Sequence, residues 1–144
     1  MHVKIIFETQ TGTTQYVAEL IKKKLDAAGH SVTLHSLKYN GLQPDFSDTD
    51  VVVFGAPTYD DGYLEKTVRE WIAQVSPDLS KLKVAVFGLG NRTYPQFCKA
   101  ADLLEEWVQK NRGMLLVPTL RVDHFPDDTQ PILAWADQMI TALQ

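Results

Sequence analysis

Three apolar runs rich in β-branched residues, Val3 to Phe7, Asp50 to Gly55 and Val84 to Gly88, constrain this chain more than any other feature. Such short, nearly continuous runs read as strands covered on both faces. Between and after them fall helical periods. Val17, Leu20, Ile21, Leu25 and Ala28 mark one helix, stopped by Gly29, and Leu64, Val68, Trp71, Ile72 and Val75 mark a second, stopped by Ser76-Pro77. Phe97, Ala101, Leu104, Trp107 and Val108 mark a third that ends by Asn111-Arg112-Gly113, and Ile132 to Leu143 supplies the last. Ser31 to Leu37 alternates as a half-exposed edge strand, and Met114 to Val122 reads as a strand in which Pro118 demands an edge position or a bulge. Strands joined through helices must run parallel, with right-handed crossovers. The predicted fold is therefore α/β, a five-stranded parallel sheet of order 2-1-3-4-5 with helices on both faces. Its ligand crevice belongs at the switch point between strands 1 and 3.

That rule singles out the turn after Phe7, which reads Glu8-Thr9-Gln10-Thr11-Gly12-Thr13-Thr14. Unpaired N–H groups at a helix N-terminus, the helix dipole and several hydroxyls together suit an anion. The alternative is that Thr11 or Thr13 simply caps the helix. The turn has neither the Gly-x-x-x-x-Gly-Lys of a nucleoside triphosphatase nor the Gly-x-Gly-x-x-Gly of a dinucleotide fold, and no Lys or Arg lies between Thr9 and Thr14. Neutral donors without a cation suit a tightly held monophosphate.

Two further loops fall beside this turn. One reads Gly55-Ala56-Pro57-Thr58-Tyr59-Asp60-Asp61-Gly62-Tyr63, the other Gly88-Leu89-Gly90-Asn91-Arg92-Thr93-Tyr94-Pro95-Gln96-Phe97-Cys98. Each places an aromatic residue a few positions past its strand, where two rings could sandwich a planar one. Gly88 and Gly90 would let backbone amides approach that ring's polar edge. A phosphate turn with two aromatic loops describes a site for flavin mononucleotide (FMN).

Composition removes other classes. The 144 residues suit one domain spanning 1-144, and a net charge of -4 argues against broad nucleic-acid binding. Cys98 is the only cysteine, which excludes an intramolecular disulfide or a multi-thiolate cluster. With no leader-like or membrane-spanning apolar run, the expectation is a monomeric cytoplasmic protein without membrane contact. His2, His30 and His35 are dispersed without metal-ligand spacing and read as surface residues.

The three loops together resemble those of short-chain flavodoxins, over the whole chain. Thr9 to Thr14, Pro57-Thr58-Tyr59 and Gly88 to Tyr94 also resemble the FMN domains of diflavin reductases such as cytochrome P450 reductase and the sulfite reductase flavoprotein. The resemblance implies a flavodoxin-like three-layer sandwich in which Thr9, Gln10, Thr11, Gly12, Thr13 and Thr14 grip the phosphate. It further implies that Tyr59 and Tyr94 stack on the isoalloxazine, that backbone groups of Leu89 to Asn91 meet its pyrimidine edge, and that Pro57, Thr58, Asp60, Asp61, Gly62, Gly88, Gly90, Phe97 and Cys98 complete the surroundings. Cys98 is expected there as a small buried hydrophobe that does not act on the flavin. In this family a backbone flip beside the inner aromatic stabilises the neutral semiquinone, most easily where glycine follows. Here Asp60 stands in that place, so less stabilisation is expected. Asp60, Asp61 and Glu65 would disfavour the anionic hydroquinone, and Arg92 would favour it.

The implied function is an FMN-binding electron carrier rather than an enzyme. It would take single electrons from an NAD(P)H-dependent flavodoxin reductase or similar donor and pass them to a redox enzyme by brief docking. A small FMN-dependent reductase of quinones or metals, and a flavin-free interaction module of the same fold, are the alternatives. A phosphoacceptor receiver domain is excluded, because Phe7-Glu8-Thr9, Gly55-Ala56-Pro57 and Leu120-Arg121-Val122 lack its acids and lysine.

Overall fold

A computed structural model describes residues 1–9, 11–58, 64–92, 97–123 and 128–144. The apolar runs pair as β1 (His2–Phe7), β3 (Val51–Pro57) and β4 (Lys83–Gly90), flanked by β2 (Ser31–Ser36) and β5 (Leu120–Asp123). All pairings are parallel and the order is β2-β1-β3-β4-β5, as the alternation of elements requires. The helices are α1 (Thr13–Ala27), the single turn α2 (Leu37–Asn40), α3 (Lys66–Gln74), α4 (Lys99–Lys110) and α5 (Gln130–Ala142).

The inner strands are buried on both faces, and each face has its own core. On one side Ile5, Val53, Ala85 and Phe87 meet Val17, Ile21 and Leu25 of α1 and Ile132, Trp135 and Met139 of α5. On the other, Ile6, Val52, Phe54 and Val86 meet Val68 and Trp71 of α3 and Leu104, Trp107 and Val108 of α4. At the heart of this second core the Phe54 ring stands edge-on to Trp107 with centroids 5.1 Å apart, and Trp71 lies 5.2 Å from Trp107. The indole N–H groups stay satisfied: Trp71 donates to the Leu42 carbonyl, Trp107 to that of Val75 and Trp135 to that of Pro118.

Several boundaries differ from the sequence expectation, each for a physical reason. Leu37 starts α2 instead of ending β2, because the Ser36 hydroxyl accepts from the Tyr39 N–H and caps a helical turn. The expected strand Met114 to Val122 shrinks to Leu120–Asp123, with one isolated bridge between Leu115 and Val84. Pro118, lacking an N–H, sits in the irregular stretch between them. Leu89 and Gly90, assigned above to a loop, extend β4 past the expected end at Gly88, and Ala56 and Pro57 extend β3 past Gly55, where they pair as Ala56↔Gly88 and Pro57↔Leu89. His35 is not a surface residue: it is 9% exposed, with Nε2 2.7 Å from the Gly41 carbonyl oxygen.

Candidate functional site

The C-terminal ends of β1, β3 and β4 lie side by side, and the chain turns after each. After β1 the turn enters α1 through Gly12, whose φ of 93° is a left-handed conformation that side chains rarely adopt. Neither Thr11 nor Thr13 caps this helix; Gly12 is the N-cap, with no side-chain cap bond. The Gly12 N–H donates to Thr9 Oγ1 at 2.9 Å, and the Tyr16 N–H donates to the Gly12 carbonyl at 3.0 Å. Among the described residues, this leaves the first-turn amides of Thr13, Thr14 and Gln15 without a partner. A Cβ built on Gly12 would meet nothing within 4 Å, so the space beside the N-cap residue is open. Three first-turn amides, with the Thr11 and Thr13 hydroxyls 3.5 Å apart beside an open N-cap, fit a phosphate.

After β3 the chain leaves and returns at one point. Thr58 and Leu64 form an antiparallel bridge, the Glu65 N–H donates to the Pro57 carbonyl at 3.3 Å, and the Thr58 N–H donates to the Leu89 carbonyl at 2.8 Å. The Thr58 hydroxyl is committed elsewhere: Oγ1 accepts from the Ala100 N–H at 2.8 Å, in the first turn of α4. That helix has no cap of its own, since its N-cap residue is Cys98, with no side-chain bond and φ 51°. Thr58 therefore caps α4 from a neighbouring strand. Replacing it by Val removes only the acceptor and should lower stability by about 1 kcal/mol in urea unfolding, whereas Thr58→Ser should not.

The glycines at the end of β4 serve packing. A Cβ on Gly88 would stand 2.8 Å from Ala101 Cβ, and one on Gly90 2.6 Å from the Cys98 backbone nitrogen, so their absence lets α4 press against the strand. Cys98 is consequently fully buried, with Sγ 3.6 Å from the carbonyl oxygens of both Gly88 and Val122. Burial pushes its thiol up to about 12. It is a filler, as its position at a helix start suggested. Phe97 is half-buried beneath the Arg92 guanidinium, 4.4 Å from its ring centroid, and Arg92 also lies 3.6 Å from Asp123. Its charge is thus already paired.

Glu65, expected to disfavour the anionic hydroquinone, is 2% exposed, caps α3 by accepting from the Val68 N–H at 3.0 Å, and pairs with Lys38 Nζ at 3.5 Å. Gln10, Tyr59, Asp60, Asp61, Gly62 and Tyr94 lie outside the described residues, so the two stacking aromatics and the Asp60 turn carry no structural account here.

The sequence reading overlooked Glu8, Ser36 and the capping role of Thr58. The available signal for Glu8 was a carboxylate wedged between an apolar strand and a glycine turn.

A family model described as Flavodoxin matches residues 5–135. The chain belongs to the flavodoxin family. A flavodoxin of Nitratidesulfovibrio vulgaris is 28% identical over 146 residues, covering 99% of each chain. Probable flavodoxin 2 of Bacillus subtilis is 28% identical over 130 residues, covering 87% of this chain and 83% of that one. Among solved structures, oxidised flavodoxin 1 of Bacillus cereus superposes with a TM-score of 0.88 at 24% identity over the full length of both chains. As a member of this family the chain binds FMN and acts in electron transfer, not as an enzyme. Among the described residues no helix is long and apolar enough to cross a membrane.

Proposed function

We propose that this chain, as a single monomeric domain, carries electrons one at a time between an NAD(P)H-dependent reductase and an acceptor redox enzyme. The observation that carries the reading is the uncapped start of α1, where among the described residues the Thr13, Thr14 and Gln15 amides have no partner and the N-cap Gly12 borders open space. Such a site holds a monophosphate as a resident anchor. In this reading Thr9 to Thr14 hold the FMN phosphate, Tyr59 and Tyr94 cover the ring, and Leu89 to Asn91 border its polar edge. Pro57, Thr58 and Phe97 form the frame of the ring site. Bound FMN supplies the redox chemistry.

The chain's own part is to bind, orient and limit access. The Thr58 and Leu64 bridge anchors the second loop to the sheet, and the packing of α4 on Gly88 and Gly90 sets the floor beside it. A reducing cytoplasm is the compartment this reading takes, in keeping with the buried free thiol of Cys98.

Reconstituting the apo-protein with FMN and titrating it potentiometrically tests the reading. Two separate one-electron steps are expected, with reduction by NADPH only when a flavodoxin reductase is added and a reduction rate that falls as salt rises. Direct turnover of a quinone with NADPH and no second protein would replace the carrier by a reductase.

A further inference from the structure

A carboxylate with no part in the flavin site described above sits directly beneath the phosphate turn. Glu8 has no exposed surface. Its Oε1 accepts from the Thr9 N–H at 3.1 Å and from Ser36 Oγ at 3.2 Å, while Oε2 accepts from the Lys38 N–H at 2.7 Å and from Ser36 Oγ at 3.3 Å. Every partner is a donor, a set that a carboxylate with two accepting oxygens satisfies in full.

The position explains the arrangement. The β1 ladder ends at Phe7, which stands opposite Ser36 on β2 and Gly55 on β3. Glu8 keeps its own N–H on the β3 side, donating to the Gly55 carbonyl at 3.4 Å, and sends its side chain the other way to the corner between β2 and α2. The side chain thereby continues a ladder that the backbone has left. Holding the Thr9 N–H fixes Thr9, whose Oγ1 in turn accepts from the Gly12 N–H. One unbroken line of bonds runs from Ser36 and Lys38, through Glu8 and Thr9, to Gly12, the N-cap of α1.

We propose that Glu8 is a positioning residue for the phosphate: it clamps the turn to the β2–α2 corner and so presets the amides of Thr13, Thr14 and Gln15. The inference rests on the reading that this turn holds the FMN phosphate. Electrostatics alone predicts the opposite of a clamp, because a buried negative charge under a phosphate opposes binding. Glu8→Gln separates the two. It removes the charge and keeps the size, but an amide offers one accepting oxygen and turns an NH₂ toward donors that need an acceptor.

The experiment titrates apo-protein of the wild type, Glu8→Gln and Ser36→Ala with FMN and with riboflavin, reading flavin fluorescence, and records apo-protein unfolding alongside. Riboflavin lacks the phosphate, so the ratio of the two affinities reads the turn alone. Glu8→Gln should lower FMN affinity about tenfold and leave riboflavin affinity unchanged, with a smaller drop for Ser36→Ala. Tighter FMN binding by Glu8→Gln would make the carboxylate a mere repulsive charge and overturn the proposal, as would equal losses for both ligands. A wild type indifferent to the phosphate defeats the phosphate reading itself, whereas a wild-type ratio surviving in Glu8→Gln defeats only the role of Glu8. Should Glu8→Gln not fold, an unchanged ratio in Ser36→Ala overturns the proposal and a lowered one supports it.

Discussion

Gly55→Ala should destabilise the protein by about 3 kcal/mol, near the upper end of what overpacking a core usually costs. A Cβ on Gly55 would stand 2.1 Å from Cζ of Phe87, 2.3 Å from Cε1 and 2.6 Å from Cε2. The ring has little room to retreat. Phe87 is fully buried and packs against Trp135, with centroids 6.4 Å apart. Gly55 itself pairs with Phe7 on one side and Phe87 on the other, in the centre of the sheet, so the backbone cannot yield without shifting three strands. Its carbonyl also accepts from the Glu8 N–H, which would pass any shift to the turn before α1. Urea unfolding of Gly55→Ala, Phe87→Leu and the double variant gives the check. The double variant should be more stable than the summed single losses predict, by about 1 kcal/mol or more, because the smaller side chain makes room for the methyl. Strict additivity would mean that the clash relaxes elsewhere.

Cys98 should react with a thiol reagent at pH 8 about 1,000-fold more slowly in the native protein than in urea, through its thiolate content alone. With the thiol pushed up to about 12 from an ordinary 9.0, its thiolate fraction at that pH is roughly a thousandth of a free cysteine's. Enclosure by Gly88, Gly90 and Val122 slows reaction further. The same shift makes a prediction about alkali. Because the folded value lies above the unfolded one, the thiol's contribution to stability is complete below about pH 9 and is lost as pH rises toward about 12, at roughly 1.4 kcal/mol per pH unit. Replacing Cys98 by Ala should remove that slope from the pH dependence of unfolding. Labelling of the native protein at the free-thiol rate would contradict both statements.

The inner sheet was legible because β-branched runs such as Val51-Val52-Val53 can satisfy burial on two faces only as central strands. Glycine misled at the strand ends. Gly90 read as part of a loop, yet it stays in the ladder, where its missing Cβ, like that of Gly88 at the expected strand end, admits α4, a tertiary reason that no local pattern shows. Met114 to Leu116 has strand composition, but a single bridge, Leu115 with Val84, is all that forms before Pro118 intervenes. In the candidate site, the turn from Thr9 to Thr14 stood out because its hydroxyls and glycine are adjacent in sequence. Glu8, Ser36 and Lys38 did not, since their bonds join residues 28 to 30 positions apart. That Glu65 caps α3 beneath Lys38 was equally hidden, since nothing local reveals it.

Thr58 is tied at once to Leu64 by the bridge, to the Leu89 carbonyl through its N–H and to the Ala100 N–H through its hydroxyl, so a single residue joins β3, β4 and α4. A disturbance in any one of these three elements is therefore felt by the other two, and the end of β3 and the start of α4 shift as one body.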